Sequence, residues 1–210
     1  MSAGPVIVLG AGGHAKVVIE LLRASGHEVF GVLDADPAPR AVVGAQVIGD
    51  DSMLESLKAQ GVTCAFIAIG DNGLRLRLGR KAQKAGFTLV NAISPAATVS
   101  SSARLGVGIA IMAGAVINAE TDVHDLAIIN SGAVVDHDGL ICEAAHVAPG
   151  CALAGDVTVG QRAFLGAGCS VIPGMKIGDD AVIGAGACVI REIPAGALAM
   201  GVPARVTGRV

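Results

Sequence analysis

Hydrophobic and polar positions in this chain follow two different rhythms. From Val99 to Val189 every sixth residue is Val, Leu or Ile, without a miss: Val99, Leu105, Ile111, Ile117, Val123, Ile129, Val135, Ile141, Val147, Leu153, Val159, Leu165, Val171, Ile177, Ile183 and Val189. Four residues after most of these stands a small residue, among them Ala115, Ala127, Ala133, Ala145, Cys151, Ala163, Cys169 and Ala181. A period of six fits neither an α-helix nor a coiled coil, but it fits short strands joined by tight corners. Each hexapeptide then forms one side of a triangular coil, with the aliphatic residue pointing inward and stacking on its equivalent in the next coil. Gly directly follows the aliphatic residue at Gly106, Gly160, Gly166, Gly178 and Gly184, and Gly or Asn at the corners is expected to tolerate the positive φ a turn requires.

Before residue 95 the rhythm is that of strands alternating with helices. Val6 to Leu9, Glu28 to Leu33, Ala65 to Ile69 and Thr88 to Asn91 read as strands, and Ala15 to Ala24, Asp51 to Gln60 and Leu74 to Ala85 as helices. This is the pattern of a small parallel α/β unit. The expected organisation is an α/β domain over 1–94, a small Rossmann-like parallel sheet, and a left-handed parallel β-helix of hexapeptide repeats over 95–210, whose last part leaves the period as a tail with short strands. The repeat looks like that of the hexapeptide-repeat acyltransferases.

Composition changes this picture by exclusion. Mean hydropathy is high at +0.66, but the charge-free run Leu105 to Ala119 is shorter than a spanning helix and lies inside the repeat. With no basic, then apolar, leader at the N-terminus, a cytoplasmic protein without membrane attachment is expected. A net charge of −3 and four Phe with no Trp or Tyr argue against a nucleic-acid partner. The five cysteines have no paired spacing, and Cys151 and Cys169 fall at small inward positions of the repeat, which reads as burial in a reducing compartment.

Candidate chemistry falls at a few places. Gly10, Gly12 and Ala15 fit the G-x-G-x-x-A form of a phosphate-binding loop between strand and helix, and Asp34 closes the second strand where an acid can take a ribose hydroxyl or a base edge. No second mononucleotide half follows, so a single nucleotide or nucleotide sugar fits better than a dinucleotide. In the repeat, His137 stands two places past the inward Val135 and hence at a corner, flanked by Asp136 and Asp138, either of which can orient an imidazole base. His146 and His124 are the other histidines there. Three histidines on a β-helix also raise a zinc site, but spacings of 13 and 9 residues do not stack on one face when a coil takes about 18, and no metal is expected.

Several segments occur together in the order seen in one family: Gly10-Ala-Gly-Gly-His-Ala-Lys16, Ala68-Ile-Gly-Asp-Asn72, Val90-Asn-Ala-Ile-Ser-Pro95, Val135-Asp-His-Asp138 and Gly201-Val-Pro-Ala-Arg205. Over nearly its whole length the chain resembles the sialic-acid O-acyltransferase-like group of hexapeptide-repeat sugar acetyltransferases, and within it the bacterial nucleotide-sugar N-acetyltransferases. The details around Gly70 to Ala82 and Val134 to Asp138 resemble members acting on GDP-perosamine. The resemblance implies acetyl transfer from acetyl-CoA to the 4-amino group of a nucleotide-linked deoxysugar, in surface polysaccharide assembly. It makes His137 the base and Asp138 the acid tuning it. His146 matches the histidine that contacts acetyl-CoA near the thioester, Gly155 a glycine whose N–H polarises the thioester carbonyl, and Ala167 and Ala185 contacts of the pantetheine arm. Gly12, Gly13, His14, Asp34, Ala35 and Gly70 match the nucleotide-sugar pocket, and Asn118 a residue reaching the substrate from a neighbouring chain. It also implies a homotrimer with the donor in the cleft between adjacent β-helices. O-acetylation of a sugar such as sialic acid, and N-acetylation of a UDP-linked amino sugar, remain open on the residues alone, because a histidine base serves all of them.

Overall fold

The computed structural model describes residues 4–210, and the chain divides into two compact units, one ending at Pro95 and the other beginning at Ala96. In the first, strands β1 (Val6–Leu9), β2 (Val29–Leu33), β3 (Ala41–Val42), β4 (Ala45–Gly49), β5 (Cys64–Ile67) and β6 (Thr88–Leu89) form one sheet in the order β3-β4-β2-β1-β5-β6. All neighbours are parallel except the β3–β4 hairpin. Helices α1 (Gly13–Ala24), α2 (Leu54–Ala59) and α3 (Asn72–Lys84) connect them. β1 is buried throughout, as expected of a central parallel strand covered on both faces. α1 buries Ala15, Val18, Ile19 and Leu22, a stripe at helical spacing.

Two elements differ from the sequence reading. The β3–β4 hairpin was not anticipated; it turns on Val43 and Gly44, both at positive φ (49° and 75°), a two-residue turn matched to the twist of the strands. The helix expected over Asp51 to Gln60 begins as a 3-10 turn, Asp51–Met53, because the Asp50 side chain accepts the Ser52 N–H and caps it tightly.

The second unit is a coil of parallel two-residue strands, each paired with the strand 18 residues on, as in Ala110↔Ile128, Val116↔Val134 and Asp122↔Leu140. Three stacks of strands result. The first face runs from Ala110–Ile111 to Val182–Ile183, the second from Thr98–Val99 to Cys188–Val189, and the third from Arg104–Leu105 to Lys176–Ile177. Fourteen of the sixteen periodic aliphatic residues are buried; Val99 and Leu105, in the first coil, are half-buried. Cys151 and Cys169 lie inside the prism, sulfur to sulfur at 3.5 Å, as free thiols. The tail closes on the last coil through strand Ala197–Met200, which pairs with Val182–Ile183 and is backed antiparallel by Arg205–Arg209.

The corners divide the work of glycine differently from the expectation. Positive φ is carried by Gly throughout one corner (Gly114, Gly132, Gly150, Gly168, Gly186), but mostly by other residues at the second (Glu120, Asp138, Asp156, then Gly174) and at the third (Gly108, then Leu126, Ala144, Arg162 and Asp180). The glycines directly after the aliphatic residue do something else. A Cβ on Gly166 would stand 2.5 Å from Ala185 N and one on Gly178 2.4 Å from Ala195 N, so these positions are small because the next coil's backbone crosses there.

Candidate active site

His137 sits at the corner between the second and third faces, directly after strand Val134–Val135. The corner is held from below by Thr121, a fully buried residue whose Oγ1 donates to Asp136 O (2.9 Å) and accepts the Gly139 N–H (3.3 Å). The Asp136 carboxylate accepts the His137 N–H (2.8 Å) and the side-chain amide of Asn118, one coil earlier (2.8 Å). These bonds fix the backbone while the imidazole, 60% exposed, projects outward. Its Nδ1 lies 2.7 Å from Asp138 Oδ2, so Nδ1–H donates to the carboxylate and the Nε2 lone pair faces away.

Of the two flanking acids, then, Asp138 orients the ring and Asp136 braces the corner. The Asp138 hydrogen bond, followed by the negative charge of Asp136, raises the His137 pKa above the ordinary 6.5. Asp136 is itself held below the usual carboxylate range by the Asn118 amide and the His137 N–H. An imidazole with one nitrogen held by an acid and the other open is a general base.

Gly155 is one coil above His137, and its Cα lies against the ring: a Cβ there would be 2.5 Å from Cε1 and 2.6 Å from Nε2. Its carbonyl accepts Gly174 N–H, and Asp156 N–H donates back to His137 O. The structure therefore brings His137, Asp138, Gly155 and, through Asp136, Asn118 to one corner. Asn118 is occupied within its own chain by the Asp136 bond.

The other expected donor-site residues lie elsewhere on the prism. His146 is on the first face, 9% exposed, with its ring edge-on to Phe164 at 5.2 Å. Asn130 Oδ1 accepts Ser131 N–H, which turns its amide Nδ2 toward His146 Nε2 at 3.1 Å and makes His146 the Nδ1–H tautomer. Ala167 and Ala185 are exposed and stacked at the corner between the first and second faces. A larger groove of about 710 Å³, lined by Arg104, Asp122, His124, Asp125, Cys142 and Glu143, contains neither His137 nor Gly155. Among the described residues no three His, Cys, Asp or Glu side chains are arranged to hold a metal.

In the first unit the carboxyl edge of the sheet carries the other expected residues. Gly10, at φ +108°, lies so close to β5 that a Cβ would stand 2.8 Å from Ala68 O, whereas Gly12 and Gly13 face open space at the start of α1. His14 is half-buried with its Nε2 enclosed and meeting no hydrogen-bond partner, and desolvation, aided by the charge of Arg75, lowers its pKa to about 4. Asp34 is more committed than expected: Oδ2 accepts Ala11 N–H (2.7 Å), and Oδ1 accepts Asp36 N–H and Arg40 Nη2 (both 3.0 Å). Asp34 and Ala35 line a cavity of about 210 Å³ that Gly12, Gly13, His14 and Gly70 do not line.

Sequence reasoning missed three residues here. Arg75, 1% exposed, donates to Ile69 O, Gly70 O and Asn72 Oδ1 and so fixes the loop carrying Gly70. Asp51 shares the cavity with Asp34. Thr121 supports the histidine corner. The coil period marks Thr121, because it stands 18 residues before Gly139 at the same turn; α3 spacing gives no comparable signal for Arg75.

A β-helix of hexapeptides with a carboxylate-oriented histidine at a corner, in a chain that also carries a glycine-loop α/β unit, defines an acyltransferase of the hexapeptide-repeat class. Known proteins agree. Residues 5–82 match the PglD N-terminal domain, and residues 156–191 the hexapeptide repeat of succinyl-transferase. The crystal structure of PerB from Caulobacter crescentus, in complex with CoA and GDP-perosamine, is 56% identical, with a TM-score of 0.95 over 99% of each chain. The acetyltransferase domain of PglB from Neisseria gonorrhoeae is 35% identical, with a TM-score of 0.91 over 97% of this chain and 100% of that one, and has a structure with acetyl coenzyme A. A curated relative from Acanthamoeba polyphaga mimivirus, described as an uncharacterized protein, is 29% identical over 124 residues; the chain spans 24% of its length. The chain belongs to the hexapeptide-repeat nucleotide-sugar N-acetyltransferases with a PglD-type N-terminal domain, and it is an acetyltransferase. No helix among the described residues is long and apolar enough to cross a membrane.

Proposed function

We propose that this chain transfers the acetyl group of acetyl-CoA to the 4-amino group of a GDP-linked deoxysugar, GDP-perosamine. The observation that carries the reading is the full-length likeness to PerB, whose structure holds CoA and GDP-perosamine, at 56% identity across both units. In this reading residues 1–94 bind the nucleotide sugar and 95–210 carry acetyl transfer. Gly12, Gly13, His14, Asp34, Ala35 and Gly70 form the nucleotide-sugar side, with the amides at the start of α1 directed at the diphosphate.

His137 is the general base. Asp138 holds Nδ1–H, so Nε2 takes the proton that the sugar amine loses as its nitrogen bonds to the acetyl carbonyl carbon. The Gly155 N–H, beside the same ring, faces the oxygen on which negative charge develops. When the carbon–sulfur bond breaks, His137 returns the proton to the departing sulfur, so no covalent enzyme intermediate is required. His146, Ala167 and Ala185 contact the acetyl-CoA arm. They occupy different faces of the prism from His137, which suits a homotrimer in which one chain supplies the base and its neighbour the donor surface, Asn118 being held in its own chain by Asp136. Use of acetyl-CoA fits a cytoplasmic enzyme, and a 4-acetamido sugar nucleotide fits polysaccharide assembly.

The test is mass-spectrometric. The enzyme is incubated with acetyl-CoA and GDP-perosamine, UDP- and dTDP-linked 4-amino sugars, and matched 4-hydroxy sugars, beside His137→Ala. An acetyl-mass gain on GDP-perosamine, lost in the variant, is the expected result. Gain confined to hydroxy sugars would replace the reading with O-acetylation, and sedimentation of a monomer would remove the shared site.

A further inference from the structure

The cavity of about 210 Å³ at the carboxyl edge of the first sheet has apolar walls from Leu33, Ile69, Leu74 and Leu78 and only two charged side chains, Asp34 and Asp51. Its volume and lining suit a base held between apolar walls, with an acid to meet its polar edge. The two acids are not equivalent. Asp34 already accepts three hydrogen bonds, from Ala11 N–H, Asp36 N–H and the Arg40 guanidinium, which leaves about one of its four lone-pair positions. Asp51 stands just past β4, and its Oδ2 is held by Lys81 Nζ at 2.7 Å while Oδ1 stays open.

Resting on the nucleotide-sugar reading, we propose that Asp51 is the residue that selects guanine, its carboxylate accepting the N1–H and N2–H of the base in this cavity, while Asp34 serves the ribose. The hydrogen-bond pattern decides which base fits. Guanine presents two adjacent donors, N1–H and N2–H, to a carboxylate that can only accept. Uracil offers one donor between two acceptor oxygens, so one carboxylate oxygen would face a carbonyl. Adenine offers an unprotonated N1 at the same place. Hypoxanthine keeps N1–H and lacks only the 2-amino group, which makes inosine diphosphate a one-group probe. Asp34 has capacity for one further donor, which suits a single ribose hydroxyl and not a bidentate base edge. Lys81 steadies the Asp51 carboxylate in place.

Calorimetric titration of the full chain with GDP, inosine diphosphate and UDP, in wild type and Asp51→Asn, tests this. The wild type is expected to bind GDP about tenfold or more tighter than inosine diphosphate and tighter still than UDP, as for loss of a charge-assisted hydrogen bond. In Asp51→Asn, GDP should weaken on the order of 10–100-fold and the GDP-to-inosine ratio should fall toward one, with UDP unchanged. Equal wild-type affinity for GDP and inosine diphosphate would overturn the proposal without any variant. Survival of the ratio in Asp51→Asn would also overturn it, by placing the base reader elsewhere. Equal weakening of GDP and UDP would reduce Asp51 to a structural role. The titrations need no turnover: if the nucleotide pattern holds while no acetyl transfer occurs, the base reading stands and the proposed reaction falls.

Discussion

Replacing Gly155 by alanine tests the corner chemistry at one atom. The added Cβ would lie 2.5 Å from His137 Cε1 and 2.6 Å from Nε2, and Gly155 has an ordinary backbone φ, so the methyl and not backbone strain is the perturbation. To reach normal contact the ring must move by roughly 1 Å, a displacement that costs on the order of 100-fold in rate when the group is a positioned base. The ring is 60% exposed and can swing outward, so the fold should lose less than about 1 kcal/mol, below the usual overpacking cost. A steady-state assay should give kcat down about 100-fold, with the unfolding midpoint almost unmoved. The decisive arm is a double-mutant cycle with His137→Ala. Once the ring is gone the alanine has nothing to displace, so adding Gly155→Ala should cost little more. A rate within threefold of wild type for Gly155→Ala, or two fully additive losses, would refute the idea that Gly155 acts by seating the imidazole.

Further outcomes follow from the same geometry. The acid limb of kcat/KM should lie above pH 6.5, because His137 binds its proton more tightly than a free imidazole; Asp138→Asn removes the largest cause and should move that limb to lower pH while also lowering the plateau. His14 is neutral when folded, with a pKa near 4 against 6.5 when unfolded, so stability is full above pH 6.5 and falls by about 3 kcal/mol as pH drops toward 4; denaturant titrations of His14→Gln should show a flatter acid side. Thr121→Val strips the bonds to Asp136 O and Gly139 N and should cost about 1–3 kcal/mol in thermal unfolding, with reduced kcat as the corner loosens. Gly178→Ala drives a Cβ to 2.4 Å from the Ala195 backbone and should lower the unfolding midpoint more than Gly155→Ala does, without the same selective loss of kcat.

The β-helix was legible because its signal is redundant. Each coil repeats the same inward positions, and a stacked prism gives every aliphatic residue the same surroundings, so Ile111 to Val189 are all buried as the period requires. Val99 and Leu105 depart only where the stack begins. The α/β unit was legible in its long elements and not in β3–β4, since a strand of two residues around Val43-Gly44 offers too few positions for an alternation to register. That omission carried forward. With no strand placed at Ala45–Gly49, Asp51 read as the start of a helix and not as a residue at the sheet's carboxyl edge, and the cavity it shares with Asp34 stayed invisible.

At the site itself, the sequence marks which residues share a corner but not how each is occupied. The distance of 18 residues from His137 to Gly155, and again from Asn118 to Asp136, is one coil, so the period that located the core also predicts these polar neighbours. The roles of the two acids are a different matter. Asp136 and Asp138 flank His137 symmetrically in sequence, yet the positive φ of Asp138 (57°) swings its carboxylate beside the ring, while Asp136 lies over Asn118 and takes the His137 amide. The same conformation recurs at Glu120 and Asp156, the equivalent corner positions of the coils on either side, where no histidine precedes it. The corner conformation is thus a property of the fold, and the base arises from placing His one residue before an acid at a turn that would exist without it. Restoring a base should therefore be possible by moving the pair: Ala119→His beside Glu120, in a His137→Ala background, should place an imidazole against a carboxylate one coil away, visible as a raised histidine pKa by NMR, yet leave turnover absent because no glycine seats that ring one coil above.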